Sequence, residues 1–149
     1  MNDPYNLTRF VLAQEHSYAR ALAELSAGRK STHWMWFIFP QLEGLGSSAT
    51  ARAFAICGLQ EARAYLAHPL LGERLRECTQ RVNDLEGLSI GEIFGYPDDL
   101  KFRSCMTLFA HAAAAPAENI FRAALRKYFA AAEDPRTRAR LTAACETSG

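Results

Sequence analysis

The seven residues His33-Trp34-Met35-Trp36-Phe37-Ile38-Phe39, stopped by Pro40, constrain this chain more than any other stretch. Two tryptophans and two phenylalanines so close together must be covered, since each large side chain withdrawn from water stabilises a fold by about 1.5–3 kcal/mol. The aromatic and β-branched content and the shortness of the run suit a strand as well as a buried helix. A strand needs a partner, because unpaired backbone groups are costly away from water. No second convincing strand is found in the sequence, so a short buried helix is expected here.

Helical periodicity fills the rest of the chain. Asp3-Pro4 reads as a cap followed by proline in a first turn. Leu7, Val11, Tyr18, Leu22 and Leu25 then recur at helical spacing up to Gly28, as one helix or as two with a kink near His16-Ser17. Gln14 lies within this apolar stripe, as a buried amide satisfied by backbone would. Residues Gln41 to Ser47 read as a loop, and Ser47 or Ser48 starts a helix reaching Gly58. Further helices are expected over Gln60 to Ala67, Leu70 to Val82, a capped turn over Ser89 to Phe94, Asp98 or Asp99 to Ala113, and Glu118 to Ala130. Asp134-Pro135 repeats the cap-then-proline start and opens a last helix to about Ala144. There are no internal repeats and no break in composition. The expected fold class is all-α, a compact single-domain bundle of about seven to eight short and medium helices spanning 1–149.

Composition narrows the function classes. The 149 residues are 49% apolar and 22% charged, a globular balance, and the formal net charge of +1 gives no field to draw nucleic acid or membrane. The longest unbroken apolar run, Trp34 to Phe39, is far short of the roughly 20 residues of a membrane-spanning helix. The amino terminus lacks the basic and apolar regions of a signal peptide, so a soluble cytoplasmic protein is expected. Cys57, Cys78, Cys105 and Cys145 form no Cys-x-x-Cys pair, and His16, His33, His68 and His111 lack i, i+4 spacing. Reduced thiols, no metal and no cofactor are the expectation, with a monomeric state.

Three regions could carry chemistry. The aromatic segment could be core alone, or His33, Trp34 or Trp36 could line a pocket for a flat ligand. Gln41 and the Gly44-Leu45-Gly46-Ser47-Ser48 loop follow it, and glycines before a helix let an anion approach backbone N–H groups. In the second region, Lys101, Ser104 and His111 share a face opposite Phe102, Met106 and Phe109, with Asp98 at the helix start. A carboxylate, an ammonium and a hydroxyl so placed could bind a phosphate or sugar or move a proton. The duller explanation is that Asp98 caps the helix and pairs with Lys101 at the surface. The third region, Arg122, Arg126, Lys127, Arg136, Arg138 and Arg140, reads as a solvated basic face without the alternating aromatics of a single-strand platform.

Together, the His33–Leu42 segment, the Gly44–Ser47 turn, Tyr65-Leu66-Ala67-His68-Pro69 and the stretch from Ile93-Phe94-Gly95 through Asp98, Lys101, Ser104 and Met106-Thr107-Leu108-Phe109 resemble the bacterial domain-of-unknown-function family 1810. The likeness runs from about Asn6 to Leu141 and implies an all-helical, compact cytoplasmic protein without supplying a function. Members are often labelled calpastatin, but nothing here is similar to that repetitive, disordered inhibitor. Cys105 stands where the family pattern has a second serine, which would impair a catalytic hydroxyl and be tolerated in packing. Arg9–Gln14 and Ala124–Phe129 also resemble the NAD- and ADP-ribose-associated N-glycosidases, which implies a ribosyl ligand near Gln14, Trp36 and Asp98.

The expectation is a small-molecule-binding protein for a nucleotide- or phosphate-like anion, with its enzymatic status open. Its candidate residues are His33, Trp36, Gln41, Asp98, Lys101 and Ser104. The competing class is a protein-interaction module in which these residues are core and the arginine-bearing carboxy end docks a partner; nucleic-acid binding ranks third.

Overall fold

The computed structural model describes residues 3–148, with side chains through Thr142, so Cys145 lies outside the described side chains. The fold is all-α, and the described residues contain ten helices, not the seven to eight expected. Single turns of four or five residues, each expected as a short helix, a capped turn or part of a longer helix, raise the total. They are α3 (Met35–Ile38), α4 (Ala49–Ala53) and α7 (Ile90–Phe94). The first long periodic stretch also divides, into α1 (Thr8–Glu15) and α2 (Tyr18–Ala27), where the Ser17 hydroxyl donates to the Ala13 carbonyl at 2.8 Å. The others are α5 (Leu59–Ala67), α6 (Leu71–Asp84), α8 (Asp98–Ala112), α9 (Ile120–Phe129) and α10 (Pro135–Ser148).

Local signals account for most helix ends. Gly28 ends α2 in the left-handed region at φ +80°, where a side chain would be strained. Ser89 and Glu92 form a reciprocal capping box on α7, and the Asn119 side chain accepts from the Phe121 and Arg122 amides to start α9. Asp3 accepts from the Leu7 and Thr8 amides and the Thr8 hydroxyl, so it caps the start of α1 from across the preceding turn, although Leu7 is the residue in the N-cap position. The last helix runs past the expected Ala144 to Ser148.

α8 is the axis of the packing. Phe102, Ser104 to Ala110 and Ala112 are all buried, and the helix touches α5, α7, α9 and α10. The aromatic segment is indeed helical, and its single turn sends its rings in different directions. Trp34 and Phe39 pack into a cluster with Phe94 and Phe102, in which Phe39 meets Phe102 edge-on at 5.1 Å. Phe37 meets Phe54 at 4.8 Å, while Trp36 is left half-buried. Gln14 is satisfied as expected and more widely: its amide donates to the Phe37 carbonyl and the Tyr65 hydroxyl, and its oxygen accepts from Arg74.

What aims the aromatic turn is the Glu24 carboxylate on α2. It accepts from the Ser31 and Thr32 amides, the Thr32 hydroxyl and the Trp34 indole N–H, at 2.6–3.0 Å. Burial pushes this carboxyl up, but those four donors outweigh it and hold it at about 2, against an ordinary 4.5. A carboxyl depressed on folding adds stability above its unfolded value, and that stability is lost as pH falls from about 4.5 towards 2. Glu24→Gln should therefore destabilise the protein by about 2 kcal/mol at pH 6, since charge-assisted hydrogen bonds are lost. Urea unfolding of both proteins should show that gap shrinking at pH 3.5; a gap independent of pH would contradict this role.

Candidate functional site

Three segments that are remote in sequence enclose a cleft of about 660 Å³. Its walls are Trp36 of α3, the loop from Gln41 to Ser48 with Ala51 of α4 and Phe54 just after it, the start of α8 from Pro97 to Ser104, and Asp134-Pro135-Arg136 at the start of α10. The loop closes at its base through a parallel bridge of Leu42 to Ile56, in which Glu43 N–H donates to the Ile56 carbonyl and Ile56 N–H to the Gln41 carbonyl, both at 2.8 Å. Arg9 of α1 clamps the far end of α4. Its guanidinium donates to the Ala53 and Ala55 carbonyls and pairs with the buried Glu61 at 2.9 Å. The α10 wall is fixed by α8: Arg103 donates to the Ala132 and Glu133 carbonyls, and Asp134 N–H donates to the Thr107 hydroxyl.

The interior is apolar with a cationic edge. Leu42, Leu45, Phe54, Pro97 and Leu100 supply apolar surface, and Trp36 supplies an aromatic wall. The charged lining consists of Lys101, Arg103 and Arg136 against one carboxylate, Asp134, whose Oδ2 already accepts from the Thr137 amide and hydroxyl. The Lys101 ammonium sits 4.0 Å from the centre of the Trp36 ring, a cation–π contact, and 3.3 Å from Asp98. Asp98 in turn holds Lys30 at 2.8 Å, and the Lys30 side chain is only 6% exposed. Lys30 also lies over the Trp34 ring and donates to the Thr32 carbonyl. The chain Trp34, Lys30, Asp98, Lys101, Trp36 thus joins the aromatic turn to the start of α8.

Of the six residues singled out in the sequence, Trp36, Gln41, Lys101 and Ser104 line the cleft. Asp98 stands behind it, joined through Lys101. It is the first residue of α8 and makes no side-chain cap, so the capping role expected for it gives way to ion pairing with two ammonium groups. His33 is exposed on the loop before α3 and is not part of the lining. Ser104 is buried with its hydroxyl donating to the Leu100 carbonyl. His111, expected on the same face, instead meets Glu133 at 2.7 Å, and Arg122 takes the other oxygen of that carboxylate. Sequence reasoning missed Lys30, Arg103, Phe54 and Arg136. For Arg136 a signal existed: it follows the Asp134-Pro135 helix start, where a side chain faces whatever the start abuts.

Nucleophilic chemistry finds little support among the described thiols. Burial, with the neighbouring Glu61 carboxylate, pushes Cys57 up to about 11, and burial pushes Cys78 to about 12. Cys105 is fully buried and its thiol is raised well above the usual range, which suits a packing position. Among the described residues no cluster of three or more His, Cys, Asp or Glu could hold a metal ion, and no helix is long and apolar enough to cross a membrane.

Comparison with known proteins agrees with the fold and leaves the chemistry open. Residues 4–141 match the family described as "Protein of unknown function (DUF1810)", and the chain belongs to that family. It is similar to the conserved hypothetical protein Rv1873 from Mycobacterium tuberculosis, whose crystal structure is 56% identical in sequence. That likeness covers 94% of this chain and 99% of the other, with a TM-score of 0.91. No functionally curated protein matches the chain.

The Lys30–Asp98 pair yields a stability test. Asp98→Ala leaves a nearly buried ammonium without its carboxylate and should cost about 3 kcal/mol in urea unfolding. Adding Lys30→Met should recover part of that loss, because the stranded charge is removed. Strictly additive losses in the double variant would contradict the pairing.

Proposed function

We propose that the cleft binds a small organic anion with an apolar or flat portion, so that the protein acts on or senses a small metabolite. The observation that carries this reading is the composition of the lining: an apolar floor and an aromatic wall, with Lys101, Arg103 and Arg136 facing a single, already engaged carboxylate. Binding sites for small molecules have this character, mostly apolar with a few convergent polar groups. The Lys101 ammonium is held between the Trp36 face and Asp98, where it needs only a short movement to meet an incoming anion. The unengaged Gln41 side-chain amide offers a donor and an acceptor nearby, since it makes no hydrogen bond to any described residue.

The alternatives have less support. An N-glycosidase would place a ribosyl group by Gln14, Trp36 and Asp98. Here Gln14 is tied to Phe37, Tyr65 and Arg74 inside the core, and both Asp98 oxygens face ammonium groups. Arg9, from the same resemblance, has a structural task in clamping α4. An interaction module docked through the basic carboxy end loses part of its surface to internal bonds. Arg122 pairs with Glu133, Arg126 with Glu118, and Lys127 with Glu86.

The test is a thermal-shift screen of wild type and Lys101→Ala against nucleotides, sugar phosphates, carboxylates and sulfonates. A ligand binding only the folded state adds about 2.7 kcal/mol at a hundred times its dissociation constant. A shift in wild type that is much reduced in Lys101→Ala is the expected result. A panel without any shift, or a shift indifferent to the substitution, would remove this reading.

A further inference from the structure

The carboxy-terminal helix brings two guanidinium groups to the Gly44 turn: Arg136 lines the cleft, and Arg140 lies against Gly44 without itself being part of the lining. Arg136 and Arg140 are four residues apart on α10, hence on one face. Arg136 Nη2 approaches the Gly44 carbonyl at 3.4 Å, a long and weak contact. The Arg140 guanidinium occupies the space that a Cβ on Gly44 would fill, and Gly44, at φ +87°, has a backbone that side chains rarely adopt. Glycine at position 44 therefore does two things at once: it allows the turn, and it admits the second arginine against the loop. Gly44 and Arg136 both line the cleft.

Neither arginine forms an ion pair with a carboxylate among the described residues, although Glu43 adjoins Gly44 in the chain and Asp134 begins the same helix. Exposed arginines elsewhere, such as Arg20, Arg52 and Arg63, also stand without an ion pair among the described residues; what sets Arg136 and Arg140 apart is that both exposed side chains meet one glycine at the cleft. Two like charges held at one glycine without an anion repel each other, and a doubly charged ligand would remove that repulsion. The guanidinium fork matches the oxygens of a phosphate in a bidentate manner, which an ammonium cannot do. Lys101 and Arg103 lie further in but are engaged, the first with Asp98 and the second with the Ala132 and Glu133 carbonyls, so the uncompensated charge of this edge is that of the two arginines, which suits a dianion. The apolar surface of Leu45, Phe54, Leu100 and Trp36 lies beyond this edge, in a space large enough for a ring and its sugar.

We infer that the ligand is a phosphate monoester of a flat-ringed compound, its phosphate gripped by Arg136 and Arg140 at the Gly44 turn and its ring laid along the apolar floor towards Trp36. This rests on the reading of the cleft as a binding site and assigns its polarity, its anion-binding residues and the chemical class it takes.

Isothermal titration of the full chain at fixed ionic strength, with adenosine 5′-monophosphate, 4-nitrophenyl phosphate, their dephosphorylated forms and inorganic phosphate, tests the inference. Each phosphate ester should bind wild type at least about tenfold more tightly than its dephosphorylated form. Arg136→Ala/Arg140→Ala should bring the esters down to that weaker level without changing the dephosphorylated compounds, and the paired lysine replacements should fall between. Ala51→Trp or Leu100→Trp, which fill the cleft, should weaken all of them, with unfolding midpoints confirming that each variant is folded. Ester binding that ignores the arginine pair yet is lost on filling the cleft would overturn the phosphate assignment and leave the cleft reading intact. The phosphate assignment is equally overturned, with the cleft reading intact, if the esters fail to bind while a carboxylate or sulfonate does. Ester binding that survives both filling variants, or no binding by any anion, would overturn the two together.

Discussion

The Glu24 carboxylate gathers four donors from one short stretch, and the position of everything around the cleft descends from that. Its bonds to Ser31, Thr32 and the Trp34 indole bend the chain after α2 and bury Trp34 among Phe39, Phe94 and Phe102. With Trp34 inside, the helical turn leaves Trp36 two residues on at a different azimuth, half-exposed and facing the start of α8. The same loop delivers Lys30 to Asp98. A carboxylate that accepts several bonds to its charged form is worth more than an exposed ion pair, because the partly buried Thr32 and Trp34 donors would otherwise lack partners. The aromatic segment is thereby both core and wall, and the two descriptions do not compete.

The cleft exists because four helices meet without filling the space between them. α3 and α8 are held together by the alternation of tryptophan rings, lysines and Asp98. α4 is held off by the bridge at Leu42 and Ile56 and by Arg9. α10 approaches from the far side on the Arg103 and Thr107 contacts. Ala130 and Ala131, both at positive φ, turn the chain sharply after α9 so that Asp134 reaches Thr107. Residues in that conformation without glycine are strained by about 1–2 kcal/mol each, and the contacts they permit must offset it. Such offset strain is found where the direction of a chain matters more than its local comfort.

Much of this was legible in the sequence, for a physical reason. Periodic apolar residues report burial, so α6 and α9 and the Phe102, Met106 and Phe109 positions of α8 were correctly placed. Gly28 and Ser89 announced helix ends through local chemistry, and the aromatic turn was helical as expected. Period says nothing about which neighbour a helix meets. The Asp98–Lys101 pair was legible, but Asp98 also looked like a cap, and its second partner Lys30, far away in sequence, was not. His111 and Ser104 suggested a shared open polar face, yet one turned to Glu133 and the other into the core, because α8 is covered on nearly every side. The helix total fell short although α3, α4 and α7 were each expected, and the first periodic stretch, which allowed one helix or two, forms two. The arginines of α10 read as a solvated face, and Arg136, Arg138 and Arg140 are exposed; nothing local reveals that Arg136 and Arg140 also meet Gly44.

Only two tryptophans are present, one deep in the core on Glu24 and one on the cleft wall, so their indole N–H resonances separate core from site. The most direct measurement is a proton–nitrogen correlation spectrum of the labelled protein titrated with adenosine 5′-monophosphate. The account predicts that the Trp36 indole resonance moves with saturation while that of Trp34 stays in place. Saturable binding that leaves Trp36 still, or that moves Trp34 in its stead, would contradict the placement of the site between the aromatic turn and the start of α8.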